Sequence, residues 1–223
     1  RPHRPKMPGR VKYFRDVKNI GRFDSAFAFR KNPGDKILSL LLADKSHVIE
    51  EDTAYSYKAA CVRLVEKTLG GLASSVEYKM DVFFSEADSA AAEKLLSDKG
   101  VKRYIVINPS ASRSSKIWEM LNYSALIDEI HRRHKIETVM SGSRADLGLC
   151  LEIQEHCAHK PVIAAGKLSL LETAALIRSA EAFVSPDTGP FHISAALGVN
   201  TVGLFGSTDP AKYGPYPGNC RII

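Results

Sequence analysis

The sequence predicts an α/β protein: a doubly wound parallel sheet in its second half, preceded by part of another α/β domain. Three observations carry this. From about residue 100 onward, short β-branched runs alternate with helical stretches, the pattern of a parallel sheet with helices on both faces. Three of those runs end in loops rich in small and polar residues, as strand ends facing a ligand do. The 223 residues, 44% hydrophobic and 25% charged, have the composition of an ordinary globular chain, which excludes collagenous and disulfide-stapled classes.

The elements follow in order. Residues 104–108 are a β-branched run closed by Pro109, read as a buried strand. Residues 119–134 place Met120, Leu121, Leu126, Ile127 and Ile130 at helical spacing. They end in His131-Arg132-Arg133-His134, cations suited to a helix C-terminus. A strand at 136–140 is closed by Ser141-Gly142-Ser143, and a helix follows over 144–156. After a short strand at 162–164, Ser169 and Glu172 form a capping box that opens a helix at 170–179. A strand at 182–185, a small-residue helix at 189–197 and a strand at 201–205 complete the series. The first hundred residues give strands at 23–29 and 47–49 and helices at 35–43, 57–69 and 86–98, with Gly70-Gly71 stopping the second. This divides the chain into a partial domain, 1–100, and a nearly complete one, 101–223.

The net charge of +6 is localised. Residues 1–22 hold eight Lys/Arg against Asp16 alone, a sum of +7, and the remainder sums to −1. Such an end is a solvated tail or a contact for phosphate or anionic lipid. No recognition motif or aromatic array accompanies it, so nucleic-acid binding is not expected. No run approaches the roughly 20 apolar residues of a membrane span. Cys61, Cys150, Cys157 and Cys220 form no C-x-x-C pair and no His/Cys cluster with zinc spacing, so a reduced cytosolic compartment and no metal site are expected. The start, Arg1-Pro2-His3-Arg4-Pro5, lacks both Met and an apolar signal segment, as a fragment or processed product would.

Three strand ends carry the chemistry. The loop 108–116, Asn-Pro-Ser-Ala-Ser-Arg-Ser-Ser-Lys, offers hydroxyls, backbone N–H groups and two cations to a phosphate; as a lone feature it is equally a polar loop. The stretch 185–192, Ser-Pro-Asp-Thr-Gly-Pro-Phe-His, opens a helix, where Asp187 or Thr188 can cap and Gly189 admits a ligand to the backbone. His192 falls in the first turn, on the side of any bound anion, although a satisfied structural histidine is the plainer alternative. The third loop, 206–210, shapes the same region or is a simple turn.

Four blocks in this order and spacing resemble the C-terminal half of the ADP-heptose:lipopolysaccharide heptosyltransferases, glycosyltransferase family 9. They are NPSASRSSKIW (108–118), AGKLSLLETAALI (165–177), VSPDTGPFHISAALG (184–198) and TVGLFGSTDPAKYGPY (201–216); FDSAFAFRKN (23–32) resembles the family's N-terminal domain more weakly. The resemblance implies a GT-B fold, with a Rossmann-like C-terminal domain binding the ADP-sugar donor and an N-terminal, acceptor-side domain. It implies inverting transfer of heptose to a lipopolysaccharide inner-core acceptor by a cytoplasmic bacterial enzyme without a cofactor, its basic start near the inner-membrane surface.

By position, the resemblance puts Ser112 and Lys116 on the diphosphate, and Thr188, Gly189 and His192 against the phosphates at the helix start. Asp187 falls at the sugar and Leu168 against the adenine, with Lys167 near the nucleotide and the ribose contacts in the loop 141–146, where Asp146 is a candidate. Departures are Asn108-Pro109-Ser110 where many members have His-Pro-Gly, and Ala111 before Ser112. The family's catalytic base is an Asp in a Gly-Asp motif near the N-terminus. Gly34-Asp35 follows the middle strand instead, so the base is expected upstream of this chain, as a terminal strand and closing helix are expected beyond Ile223. Two other readings stay open: a nucleotide-sugar-binding module without catalysis, and the same chemistry on a protein or other glycan.

Overall fold

The computed structural model describes residues 23–28, 39–40, 43–48, 61, 64–66, 80–214 and 219–223. The chain falls into two units, Arg1–Glu77 and Tyr78–Ile223. In the first, β1 (Phe23–Ala28) pairs in parallel with β2 (Ala43–Val48), Phe23 opposite Ala43 and Ala28 opposite Val48. The second strand starts at Ala43, earlier than the pattern predicts, and takes over the last position of the helix expected at 35–43. Pairing along β1 and the stacking of Phe27 on His47, centroids 5.2 Å apart, favour the extended chain there. Residues 39–40, 61 and 64–66 are helical, as expected. The rest of those two helices, the basic residues 1–22, Gly34-Asp35 and Gly70-Gly71 lie outside the described residues.

The second unit begins with helix α1 (Glu86–Ser97), opened by a capping box between Ser85 and Asp88. Then follow β3 (Tyr104–Ile107), α2 (Met120–His134), β4 (Glu137–Met140), α3 (Leu147–His156), β5 (Val162–Ile163) and α4 (Leu170–Arg178). The series closes with β6 (Phe183–Pro186), α5 (Gly189–Ala196), β7 (Thr201–Leu204), α6 (Pro210–Tyr213) and β8 (Cys220–Ile222). The expected capping box is present at α4: Glu172 N–H donates to Ser169 Oγ at 3.2 Å, and Ser169 N–H donates to Glu172.

All six strands run parallel in the order β5-β4-β3-β6-β7-β8. This is the doubly wound order, in which the chain starts at the centre, builds outward one way, then returns and builds the other way. Along β3 the side chains alternate between two cores. Tyr104 and Val106 join Ala92 and Leu96 of α1, Leu176 of α4, Phe183 of β6 and Phe191 of α5 on one face. Ile105 and Ile107 join Tyr123 and Ile127 of α2 with Cys150 and Ile153 of α3 on the other. Burial pushes the Cys150 and Cys157 thiols up to about 12 and about 11.

Two expectations change. The division lies at Glu77/Tyr78 and not at residue 100, because α1 buries Ala92 and Leu96 in the core shared with β3 and α4. A further strand also precedes Ile223: β8 adds to β7, with Thr201 N–H donating to Asn219 O at 2.7 Å and Ile223 N–H to Gly203 O at 2.9 Å. Cys220-Arg221-Ile222 does alternate, but three residues are too short a run to read as a strand, and pairing with β7 defines it.

Gly203 is fixed by close approach. A Cβ there would lie 2.6 Å from Phe191 Cε2 and 2.9 Å from Phe205 Cε2. Gly203→Ala is therefore expected to destabilise the fold by roughly 1–3 kcal/mol through overpacking, measured by denaturant unfolding. An unchanged midpoint would contradict this packing.

Candidate functional site: a crevice at the strand-order reversal

Strands β3 and β6 are neighbours in space but far apart in sequence, and the strand order reverses between them. The loops leaving their carboxyl ends therefore define the crevice where doubly wound sheets bind ligands. A cavity of about 500 Å³ lies there. The β3 loop lines it with Asn108, Ser110, Ala111 and Ser112, and the β4 loop with Ser141, Gly142, Ser143 and Asp146. The β5 loop and α4 contribute Leu168, Ser169, Leu170 and Thr173, and the α5 start contributes Thr188, Gly189 and Pro190. That volume suits a nucleotide-sized ligand.

Hydroxyls lock the floor. Ser185 donates to Pro186 O at 2.9 Å, so its contact with Thr188, also 2.9 Å, is donated by Thr188. Thr188 Oγ1 then accepts from Asn108 Nδ2 at 3.5 Å, while Asn108 Oδ1 accepts from Ser110 at 3.2 Å. Thr188 occupies the N-cap position, yet its hydroxyl is used sideways and no side chain caps α5. A capping role for Asp187 or Thr188 was the simple alternative, and neither side chain takes it. The first-turn N–H groups and the positive end of the helix dipole are left to an anion. A Cβ on Gly189 would meet nothing within 4 Å, so the helix start faces open space.

Beside this terminus Lys116 Nζ lies 2.6 Å from Asp187 Oδ2 and 3.3 Å from Asp187 O, the two side chains 13% and 9% exposed. Lys116 reaches it from the short 3-10 turn Ser114–Lys116. His192 Nε2 is 3.4 Å from Asp187 Oδ1. Burial pushes the Asp187 carboxyl up, but Lys116, the adjacent Thr208 hydroxyl and His192 outweigh it and hold the group below its usual 3.8.

Of the sequence candidates, Ser112, Leu168, Thr188, Gly189 and Asp146 line the cavity; Lys116, Asp187 and His192 form the ionic group beside it. Asp146 Oδ2 already accepts from Ser143 N–H at 2.7 Å and Ser143 Oγ at 2.6 Å. Lys167 is exposed and does not line the cavity: Gly166, at φ 73, turns the chain so that Leu168 faces inward. Sequence reasoning places ribose contacts in the loop 141–146 but does not single out Ser141. It is 2% exposed, lines the cavity, and its Oγ has no protein hydrogen-bond partner. A buried hydroxyl left unpaired beside a cavity is a ready ligand contact. Its position after β4 was the available signal.

The sequence model of glycosyltransferase family 9 (heptosyltransferase) matches residues 15–223. The chain belongs to glycosyltransferase family 9. Lipopolysaccharide heptosyltransferase 3 of Escherichia coli is 38% identical over 120 residues, 53% of this chain and 35% of that protein. The lipopolysaccharide core heptosyltransferase OpsX of Haemophilus influenzae is 28% identical over 142 residues, 63% of this chain and 40% of its own length. The matched part is thus well under half of either relative. Among solved structures, a glycosyltransferase family 9 protein from Veillonella parvula superposes with a TM-score of 0.83 at 19% identity, covering 98% of this chain and 68% of that one. The E. coli heptosyltransferase WaaC with ADP gives 0.71 at 20% identity, covering 98% and 72%. These likenesses show the fold, the GT-B type of the heptosyltransferases. Among the described residues no helix is long and apolar enough to cross a membrane.

Lys116→Ala is expected to destabilise the protein by roughly 2–3 kcal/mol by leaving a buried carboxylate uncompensated, and adding Asp187→Asn should recover part of that. Thermal unfolding of the two single variants and the double variant checks it. Because the Asp187 carboxyl is held below 3.8, its stabilisation is complete above that pH and lost as pH falls through the lowered value. Asp187→Asn should therefore flatten the acid limb of a Tm-against-pH profile.

Proposed function

We propose that this chain is the donor-binding part of an inverting glycosyltransferase that moves heptose from ADP-heptose to a lipopolysaccharide inner-core acceptor. The observation that carries the reading is the uncapped α5 terminus over the cavity, flanked by the Lys116–Asp187–His192 group. Membership of a family whose relatives are lipopolysaccharide heptosyltransferases, and the ADP named for the WaaC structure, supply the ligand class. Residues 78–223 are assigned the donor and the first unit the acceptor side.

The roles follow from chemistry. The acceptor hydroxyl oxygen bonds to the anomeric carbon as that carbon's bond to the diphosphate breaks, and a general base takes the hydroxyl proton. Negative charge then grows on the departing ADP. The N–H groups at Thr188–Gly189, the Ser112 hydroxyl, Lys116 and His192 stabilise it without reorganising. Lys116 would share its charge between Asp187 and the phosphates, leaving Asp187 to orient the sugar. Leu168 offers the adenine an apolar wall, and the Asp146 carboxylate and Ser141 hydroxyl offer partners to the ribose hydroxyls. The base is assigned to none of the described residues. The acceptor and the inner-membrane surface are assigned to the basic residues 1–22, on their charge of +7.

The test is calorimetry with ADP on this chain, followed by transfer assays in an enzyme complete in both domains. Lys116→Ala should weaken ADP binding roughly 10–100-fold, the loss of a charge-assisted hydrogen bond. Ser141→Ala should weaken it about 2–10-fold while leaving stability equal or higher, because it removes an unsatisfied hydroxyl. Asp187→Ala should chiefly lower the transfer rate. Wild-type ADP affinity in both Lys116→Ala and Ser141→Ala would overturn the site. ADP binding together with no transfer in the complete enzyme would favour the second reading, a nucleotide-sugar-binding module. The observation behind that reading is that both acidic side chains at the cavity, Asp146 and Asp187, are already engaged.

A further inference from the structure

At the amino ends of the strands, the end of the sheet opposite the crevice, three side chains from three elements converge. They are His131 in the last turn of α2, Glu137 at the first position of β4, and His159 in the connection from α3 to β5. His159 Nε2 lies 2.7 Å from Glu137 Oε2 and His131 Nδ1 lies 3.6 Å from Glu137 Oε1. One ligand atom from each residue can be chosen so that all three lie within 4.8 Å of one another. The two imidazoles are stacked, centroids 3.3 Å apart and planes 7° from parallel.

We propose that His131, Glu137 and His159 form a binding site for a divalent metal ion of the zinc class, a structural clasp separate from the donor crevice. Two imidazoles and a carboxylate are a ligand set that zinc takes, with a fourth position for water. Bonds of about 2.0–2.2 Å in tetrahedral geometry put ligand atoms roughly 3.4 Å apart. His159 Nε2 meets one carboxylate oxygen, Oε2 at 2.7 Å, and His131 Nδ1 the other, Oε1 at 3.6 Å, so a turn of the carboxylate presents an oxygen to an ion held between the two rings. The rings must also splay from their stack so that both nitrogens aim at one ion, which needs only side-chain torsion.

The surroundings favour an ion there. His131 Nδ1 is buried with no hydrogen-bond partner, its nearest acid 3.6 Å away, and coordination would satisfy it. The backbone under each ligand is held. Lys135 closes α2 in the left-handed conformation, φ 54, which brings β4 and Glu137 straight back beside His131. Asp128 of α2 accepts both His159 N–H, at 2.8 Å, and Ala158 N–H, at 3.0 Å. Gln154 Nε2 donates to Pro161 O at 2.7 Å across the same turn. Such outer contacts are what orient metal ligands. The ion would tie α2, β4 and the turn before β5 together.

The experiment is titration of the metal-stripped full chain with Zn²⁺ by calorimetry, with Co²⁺ absorption as a second probe. The expected result is one ion per chain, a Co²⁺ spectrum without a thiolate charge-transfer band, and affinity lowered by more than about 10–100-fold in His131→Ala and in His159→Ala. Far-UV circular dichroism of the metal-free variants checks that they fold. In the wild-type protein, which needs no variant, imidazole ¹⁵N shifts on loading should move at His131 and His159. Zinc affinity unchanged in the double variant His131→Ala/His159→Ala, a thiolate band, or shifts confined to other histidines would each overturn the proposal. ADP affinity is not a readout of this site, so its failure and that of the donor site are told apart.

Discussion

The reversal of strand order between β3 and β6 is the constraint on which the rest depends. Helix α2, leaving β3, packs on the face of Ile105 and Ile107, whereas α5, leaving β6, packs through Phe191 on the opposite face. Two adjacent loops that must diverge to opposite faces cannot close over the sheet, so a crevice opens at their carboxyl ends. The register Ile107 to Val184 sets the two loop starts side by side. Asn108 and Thr188 are then within hydrogen-bond reach although 80 positions separate them.

That proximity decides how the helix terminus is used. A Thr at an N-cap normally satisfies an N–H of its own helix. Here the chain from Asn108 through Thr188 to Ser185 and Pro186 O consumes the hydroxyl, and the α5 terminus keeps its binding capacity. The Lys116–Asp187 pair belongs to the same arrangement. A pair this sheltered gains little net stability, because removing two charges from water offsets most of their attraction. Its presence at the strand ends is better understood as positioning, with one cation and one carboxylate held beside a terminus that attracts anions.

Much of the second unit could be read from its residues. Tyr104-Ile-Val-Ile107 is long enough and apolar enough to be a buried strand in any context, and all four side chains are buried. Ser169 with Glu172, and Pro190 in a first turn, act within a few residues of themselves, and local signals of that kind survive into the fold. What failed to show depends on distant partners. Strand β8 is only three residues, too short a pattern to read, and exists by pairing with β7. Helix α1 read correctly as a helix, but its allegiance to the second unit is a matter of which core takes Ala92 and Leu96.

The same division holds for the sites. Sequence by itself determined the α/β class, the loops that carry polar chemistry, and most of the residues gathered at the crevice, because strand-end loops of a parallel sheet face one side whatever their detail. Only the tertiary structure decided that Thr188 leaves its helix uncapped, that Lys116 is bound to Asp187, and that Leu168 and not Lys167 enters the cavity. It alone revealed Ser141 as a buried, unpaired hydroxyl, and it alone assembled His131, Glu137 and His159 from three elements with no recognisable spacing. The physical reason is common to these cases. Hydrogen bonding, burial and coordination depend on distance in space, which the chain sets only once its strands have paired.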